Sequence, residues 1–404
     1  MKRIFFIFVF LFTSFYLFAQ DFELVESVPV ETFMEQSNLP RCFDVWLKMI
    51  NEAKSTIDIE TFYFSSKPGE PLEDIISALK SAAGRGIKIR IIVDSSFYAK
   101  NEKSSDLLEG LQNIEIRKIP FGNIGGGVMH AKYFIVDGEN LFLGSQNMDW
   151  RAIKHIHEIG LRIKSKKFVW EFINIFENDW RLCKRHNSAD IENLLKVSVS
   201  GFSEKHPLKL TDKNYGSLLL YSAFSPYNYI PGNFNTELDE ILKLIKYARK
   251  RLNIQIYSYS TKGEKSSEFD KIDKALRKAA KRGVKIKIIF PDWATGKKSI
   301  DVIKNLSQVK NIKIKISSIP QYSGGFIPYS RVEHCKYFIS DNNYSFISTS
   351  NWEDDYFYKS RNASVIIKNG KVNSELKKVF NSDWNGPLTE PIDVSKDYKP
   401  PKRN

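Results

Sequence analysis

The chain has 404 residues, 42% of them hydrophobic and 27% charged. That balance excludes a disordered polymer and leaves room for two domains of ordinary size. A formal charge of +14 favours anionic partners, nucleic acid or an acidic lipid surface, without separating the two.

In chain order, Lys2 and Arg3 form a short basic head, Ile4 to Phe18 is an apolar run, and Ala19 is a small residue before Gln20 and Asp21. This layout predicts a cleaved signal peptide over residues 1–19 and a secreted or periplasmic protein. An N-terminal membrane anchor is the alternative, because Leu17 is bulky for its place before the cut. Removing the segment takes away two bases and no acids, so the charge becomes +12.

Next come a strand-like run at Thr56–Phe64, a helical pattern at Leu72–Ala83, the connection Gly84-Arg85-Gly86 and a strand at Ile87–Val93. Asn113-Ile-Glu-Ile-Arg117 follows, and an amphipathic helix closes on Phe176-Glu-Asn-Asp-Trp180. The series then begins again. Leu252–Tyr259, a helical pattern to Ala280, Lys281-Arg282-Gly283, Val284–Phe290, Asn311-Ile-Lys-Ile-Lys315 and Phe380-Asn-Ser-Asp-Trp384 repeat the order and the spacing. A repeat near half the chain length is too long for a solenoid and reads as a duplicated domain. Strands alternating with helices predict an α/β fold with mixed sheets flanked by helices. The divisions are a first domain at 20–184, a polar linker at 185–215, a second domain at 216–385, and a Pro-containing tail at 386–404 that is a surface strap or a free end.

Each half carries His-x-Lys-x4-Asp at the same place. The first copy is His130-Ala-Lys132-Tyr-Phe-Ile-Val-Asp137, followed by Gly144-Ser145-Gln146-Asn147; the second is His334-Cys-Lys336-Tyr-Phe-Ile-Ser-Asp341, followed by Ser348-Thr349-Ser350-Asn351. With only six histidines in the chain, two copies at equivalent positions are a specific signal. Within a strand, a histidine and a lysine two apart face the same side.

These residues resemble the phospholipase D superfamily over essentially the whole chain beyond the signal. Gly144-Ser-Gln-Asn-Met-Asp-Trp-Arg151, Glu158-Ile-Gly160, Thr349-Ser-Asn-Trp352 and Tyr356-Phe357 narrow the likeness. They resemble the subgroup of animal lysosomal 5′ exonucleases (the third and fourth phospholipase D family members) and poxvirus envelope phospholipases. The resemblance implies two halves packed about a pseudo-twofold axis, a covalent phosphohistidine intermediate, and no metal or other cofactor. His130 is then the nucleophile and His334 the general acid and base. Lys132 and Lys336 clamp the phosphoryl oxygens with Asn147 and Asn351, and Ser145 and Ser350 act as lesser substrate-binding donors. Glu158, eleven residues after Asn147, is expected to orient His130 through Nδ1; its counterpart is uncharged Asn362. Asp137 and Asp341 belong to the motif, yet at strand ends they read as supporting groups that bond backbone.

Other features weigh less. Cys335 alternates away from the motif side and reads as a small buried residue. Cys42 with Cys183 is the pairing expected if a disulfide forms. Gly125-Gly-Gly127 and Gly324-Gly325 read as flexible loops rimming the site, His155 and His157 as incidental, and Tyr221–Tyr229 as packing or a stacking platform for bases. Two functions remain open: a 5′ exonuclease on single-stranded DNA or RNA, and a phospholipase D or phosphatidyltransferase on anionic phospholipid. A binding protein with a decayed site disagrees with two intact His/Lys pairs. Both motifs lie in one chain, so a monomer suffices and no protein partner is required.

Overall fold

A computed structural model of the chain describes residues 20–98, 104–184, 191–192, 195–196, 200–263, 268–297 and 299–404. The expected signal peptide at 1–19 lies outside them. Among the described residues no helix is long and apolar enough to cross a membrane.

Two mixed sheets, each built around three parallel strands, carry the two halves. In the first, Thr56–Thr61, Lys88–Asp94 and Ile114–Ile119 run parallel, and Lys132–Val136, Asn140–Gly144, Ile156–Lys164 and Phe22–Ser27 continue antiparallel. In the second, Arg251–Ile256, Lys285–Pro291 and Ile312–Ser317 are parallel, continued by Lys336–Ser340, Tyr344–Ser348, Asn362–Lys368 and Gly216–Ser225. Leu208–Asp212 adds an edge strand beside Gly216–Ser225. The linker expected at 185–215 therefore gives up these residues to the second sheet; Leu208 is buried while Lys209 is exposed, the alternation of an edge strand.

Strand alternation sorts the side chains into three cores. Tyr133 and Ile135 point into a core shared by both halves, while Phe134 and Val136 point outward beneath the helices Cys42–Asn51 and Leu72–Gly84. In the second half Tyr337 and Ile339 enter the shared core, and Phe338 packs under Glu237–Tyr247 and Lys271–Lys281. The shared core is filled by the helices Lys166–Leu182 and Gly370–Asn385, started by the Ser165 and Asn369 side chains at their N-caps. Near the ends of these helices Phe176 stacks on Trp180, and Phe380 on Trp384, each pair at 5.7 Å and 18°. The matched pairs show how closely the two halves repeat. The core thus joins the halves instead of separating them.

The three cysteines are free. Cys42 is buried in the outer core of the first half and Cys183 packs against the shared core, so the expected pairing does not form. Residues 386–404 run as a strap: Thr389–Pro391 pairs with Ile312–Ser317, and the Lys304 ammonium holds the carbonyl of Lys396 at 2.6 Å.

Candidate active site

His130 and His334 precede the strands Lys132–Val136 and Lys336–Ser340, and each is pinned by the other half. The His130 N–H donates to the Arg361 carbonyl and the His334 N–H to the His157 carbonyl, both at 2.9 Å. Short parallel pairings reinforce this lacing, Met129 with Arg361 and Val332–Glu333 with Ile156–His157. Both rings open into one cavity of about 570 Å³, which Asn147, Asn351 and Arg151 also line with a set of aromatic side chains. A larger cavity of about 740 Å³ holds none of the motif residues, and around it the carboxylates of Glu35, Asp44, Glu70, Glu73 and Asp74 outnumber the cations Arg41 and Lys154. A phosphate would be repelled there. The chemistry belongs to the smaller cavity.

The carboxylate expected on His130 stands on the other histidine. Glu158 Oε1 accepts a short hydrogen bond from His334 Nδ1, whereas His130 Nδ1 meets Asn362 Oδ1 at 2.9 Å. The lacing explains the exchange, since each histidine lies beside a strand of the opposite sheet, His130 at Arg361–Asn362 and His334 at His157–Glu158. The Asn362 amide nitrogen donates to the carbonyls of Tyr356 and Ser360, at 2.9 and 3.3 Å. Its oxygen is therefore an acceptor, which fixes the proton of neutral His130 on Nδ1 and leaves Nε2 with a lone pair. Burial, then the charges of Lys132 and Lys336, hold the His130 pKa well below its usual value. Burial and the same lysines hold His334 low, while burial pushes Glu158 up to about 8. One proton is thus shared between Glu158 and His334 up to mildly alkaline pH.

Lys132 and Lys336 donate to the carbonyls of His130 and His334, at 2.7 and 2.9 Å. They stand over the rings of Phe62 and Tyr257, at 5.2 and 5.1 Å. Burial, followed by the charge of Lys336, drives the Lys132 pKa well down, and burial brings Lys336 to about 7. Two desolvated amines set just behind the histidines that line the cavity regain full charge when an anion arrives there. The Oδ1 atoms of Asn147 and Asn351 and Oε2 of Glu158 are buried without a protein partner, so the side chains at the cavity retain hydrogen-bonding capacity.

Other expected residues stand elsewhere. The Ser145 hydroxyl faces the Ile159 carbonyl at 3.4 Å and Ser350 donates to Glu237; both are buried and neither lines the cavity. Their hydroxyls brace the loops that carry the asparagines. Asp137 accepts from the amides of Lys54, Ser55 and Thr56, and Asp341 from those of Arg249, Lys250 and Arg251. Asp137 lies five residues beyond Lys132, about 16 Å along the strand from the site, and with Gly138 it takes the two positive φ angles, 54° and 65°, of a hairpin turn. Both aspartates fasten the starts of central strands, Thr56–Thr61 and Arg251–Ile256, and touch no reacting group.

Sequence reasoning missed several partners. Phe62 and Tyr356 pack edge-on against His130 at 5.0 and 4.8 Å, and Tyr257 against His334 at 4.7 Å. Phe62 and Tyr257 follow equivalent strands in the two repeats, a signal present in the sequence. His155 and His157 are buried, not incidental; His157 lies between Glu333 and Glu26 at 2.7 and 2.9 Å. Gly125 and Gly127 pack tightly on the Lys359–Ser360 backbone. Cys335 faces the shared core, away from the cavity. Within Tyr221–Tyr229, no residue lines the cavity.

The Cardiolipin synthase, PLD-like domain family matches residues 46–180 and 241–384. Phospholipase D Z of Dictyostelium discoideum is 28% identical over 395 residues, covering 92% of this chain and 90% of that protein. The 5′-3′ exonuclease PLD3 of Rattus norvegicus is 28% identical over 402 residues, covering 93% of this chain and 81% of it. Among solved structures, phosphatidylserine synthase of Haemophilus influenzae Rd KW20 shares the fold, with a TM-score of 0.61 at 11% identity over 87% of this chain and 85% of that one. Two matched domains, two motif histidines in one cavity and two lysines beside them place the chain in the phospholipase D superfamily, as a phosphodiesterase of the animal 5′-3′ exonuclease-like subgroup.

Proposed function

We propose that the chain is an exported exonuclease that cleaves single-stranded nucleic acid from the 5′ end. One observation carries this reading beyond general phosphodiester chemistry: the cavity around the two histidines is walled by Phe62, Phe97, Tyr257, Trp293, Tyr329 and Tyr356. Planar rings beside a cationic pocket suit a base and its phosphate, because every base presents a face for stacking. The relatives named as exonucleases and the +12 charge of residues 20–404 support it. Relatives named phospholipase D keep the anionic-lipid reading as the alternative.

The charge states assign the roles. His130, kept neutral by burial and the neighbouring lysines and set in its Nδ1–H tautomer by the Asn362 amide, attacks phosphorus through Nε2, forming the N–P bond as the bond to the leaving oxygen breaks. His334 with Glu158 keeps a proton to deliver to that oxygen, as a carboxylate–imidazole pair does in other hydrolases. In the second step His334 takes a proton from water, whose oxygen displaces His130 from phosphorus. Lys132 and Lys336 hold the non-bridging oxygens throughout, and Asn147 and Asn351 are the neutral donors beside them. One chain suffices, and the reading requires no metal or other cofactor.

Purified protein is incubated in EDTA with a 5′-labelled single-stranded oligonucleotide and, separately, with phosphatidylglycerol vesicles. Mononucleotide release with intact lipid is expected; phosphatidic acid without nucleotide release would overturn the assignment. The roles are separated with a p-nitrophenyl phosphodiester, whose leaving group needs no proton. His334→Asn should retain a burst of p-nitrophenolate that His130→Asn loses, and the opposite pattern would exchange the two histidines. Export is tested by N-terminal sequencing of protein recovered outside the cytoplasm, which should begin near Gln20.

A further inference from the structure

The second half carries a strip of rings and cations beside the cavity that the two-step reaction does not use. Between Ile312–Ser317 and His334 the chain leaves Phe326 and Tyr329 44% and 49% exposed. The strap formed by residues 386–404 arrives at the same place. It lays Lys402 over the Phe326 ring at 5.1 Å and Arg403 over the Trp293 ring at 4.9 Å. Arg403 is fixed twice more: its guanidinium donates to the Trp293 carbonyl at 2.6 Å, and its carbonyl accepts from the Tyr329 N–H at 2.8 Å. Trp293 and Tyr329 meet edge-on at 6.4 Å and both line the catalytic cavity. The strip is continuous with the cavity mouth.

We propose that Phe326, Tyr329, Lys402 and Arg403 form the track on which a single-stranded nucleic acid continues beyond the cleaved phosphate, its bases on the rings and its phosphates on the two cations. This rests on the nucleolytic reading and adds to it the place where the uncleaved strand lies. Rings interleaved with cations are the composition of a surface that follows a strand without reading its sequence. A lipid surface asks for a contiguous apolar patch, and here the two exposed rings are each accompanied by a strap residue. The strap's fastening matters as well. Because Thr389–Pro391 is paired with the second sheet and the Lys396 carbonyl is held by Lys304 of the helix Ile300–Ser307, the two cations are held at the mouth before any substrate arrives.

The test compares two lengths of one substrate: a dinucleotide that ends within the cavity and an oligonucleotide of about 12 nucleotides that reaches the strip. The variants are Lys402→Ala/Phe326→Ala and Arg403→Ala. KM for the oligonucleotide should rise about 5- to 20-fold with kcat retained, and the salt dependence of its log KM should flatten by roughly one per cation removed. KM for the dinucleotide should change far less. Equal changes for both lengths would make the strap a structural brace, and no change for either would remove it from binding. Either result overturns the track while oligonucleotide cleavage by the unmodified protein still stands. Fluorescence anisotropy of a labelled oligonucleotide on a His334→Asn background reads the same contrast without turnover. Loss of phosphatidylglycerol vesicle binding with unchanged oligonucleotide binding would also overturn it. An unmodified protein that cleaves no single strand would sink the nucleolytic reading first, and the track with it.

Discussion

Glu158 and Asn362 occupy equivalent places in the two repeats, and each holds the motif histidine of the opposite half, one with a charge and one without. This difference sets the pH dependence. The acid–base pair keeps its proton until Glu158 gives it up near pH 8, and the Lys336 clamp loses its charge near pH 7. Both losses come as pH rises, so kcat/KM should be high on the acid side and fall through about pH 7 to 8, as a pH–rate profile would show. Lys336→Arg keeps the charge at all these values, so its alkaline limb should move up by about one unit, to the loss of the Glu158 proton, even if kcat drops. A limb that stays in place would exclude Lys336 as its source. Asn362→Asp makes the opposite change on the other side. A carboxylate on His130 favours its protonated form, so the variant should lose about tenfold in kcat/KM near pH 5 and far less near pH 7.

At the scale of elements, the glycine loop before the first motif is a packing device. A Cβ on Gly127 would meet Ser360 Oγ at 2.4 Å and the Lys359 backbone at 2.7 Å, and one on Gly125 would meet the Lys359 carbonyl at 2.6 Å. Gly127→Ala should therefore destabilise the protein by about 1–3 kcal/mol, lowering Tm, and should reduce kcat by shifting the segment that carries His130. An unchanged Tm would show that the loop yields freely. The sequence showed the glycines and not what presses on them, because Lys359 is far away in the chain. The same limit runs through the rest of the site. Strands, helices and motif positions were legible wherever a local period or a repeated spacing recorded them: Leu72–Ala83 forms as Leu72–Gly84, and Val284–Phe290 as Lys285–Pro291. Pairings between repeats leave no local period. Glu158 was recognised as a histidine partner, yet nothing near it says that its histidine is His334. An edge strand as short as Leu208–Asp212, inside a polar stretch, was likewise hidden until Gly216–Ser225 lay beside it.

Across the whole molecule, two buried ion clusters join the halves at equivalent places, and only one of them can lose its charge. Arg361 grips Asp179 through Nε and Nη2 at 2.6 and 2.8 Å and also donates to the carbonyls of Ser225 and Tyr229. Its counterpart in the first half is His157, whose ring nitrogens face Glu333 and Glu26 at 2.7 and 2.9 Å, with Asp383, the counterpart of Asp179, nearby at 3.8 Å. Carboxylates only accept, so both ring nitrogens carry hydrogens and His157 is an imidazolium. Burial opposes that charge, but the surrounding acids outweigh it and raise the His157 pKa well above the usual value; because burial keeps the adjacent Cys335 thiol protonated, Glu333 and Asp383 supply the negative charge. A raised pKa in the folded state gives stability that is complete below the unfolded value, about 6.5, and is lost as pH rises through the folded value. Both cations lie under the backbone carbonyls that pin the motif histidines, so their loss should loosen the site as well as the fold. Arg361→Gln should cost about 3–5 kcal/mol at every pH, because it strands Asp179 in the interior. His157→Gln should cost a similar amount near pH 6, with the difference from the unmodified protein shrinking as pH rises through the alkaline range. Urea unfolding of both variants across pH 6 to about 10 measures this directly. If His157→Gln does not fold, Glu26→Gln keeps an acceptor oxygen but removes one of the negative charges beside the ring, and should show the same trend at smaller size. A difference that stays constant with pH would mean that His157 is neutral and that the two clusters are not built alike.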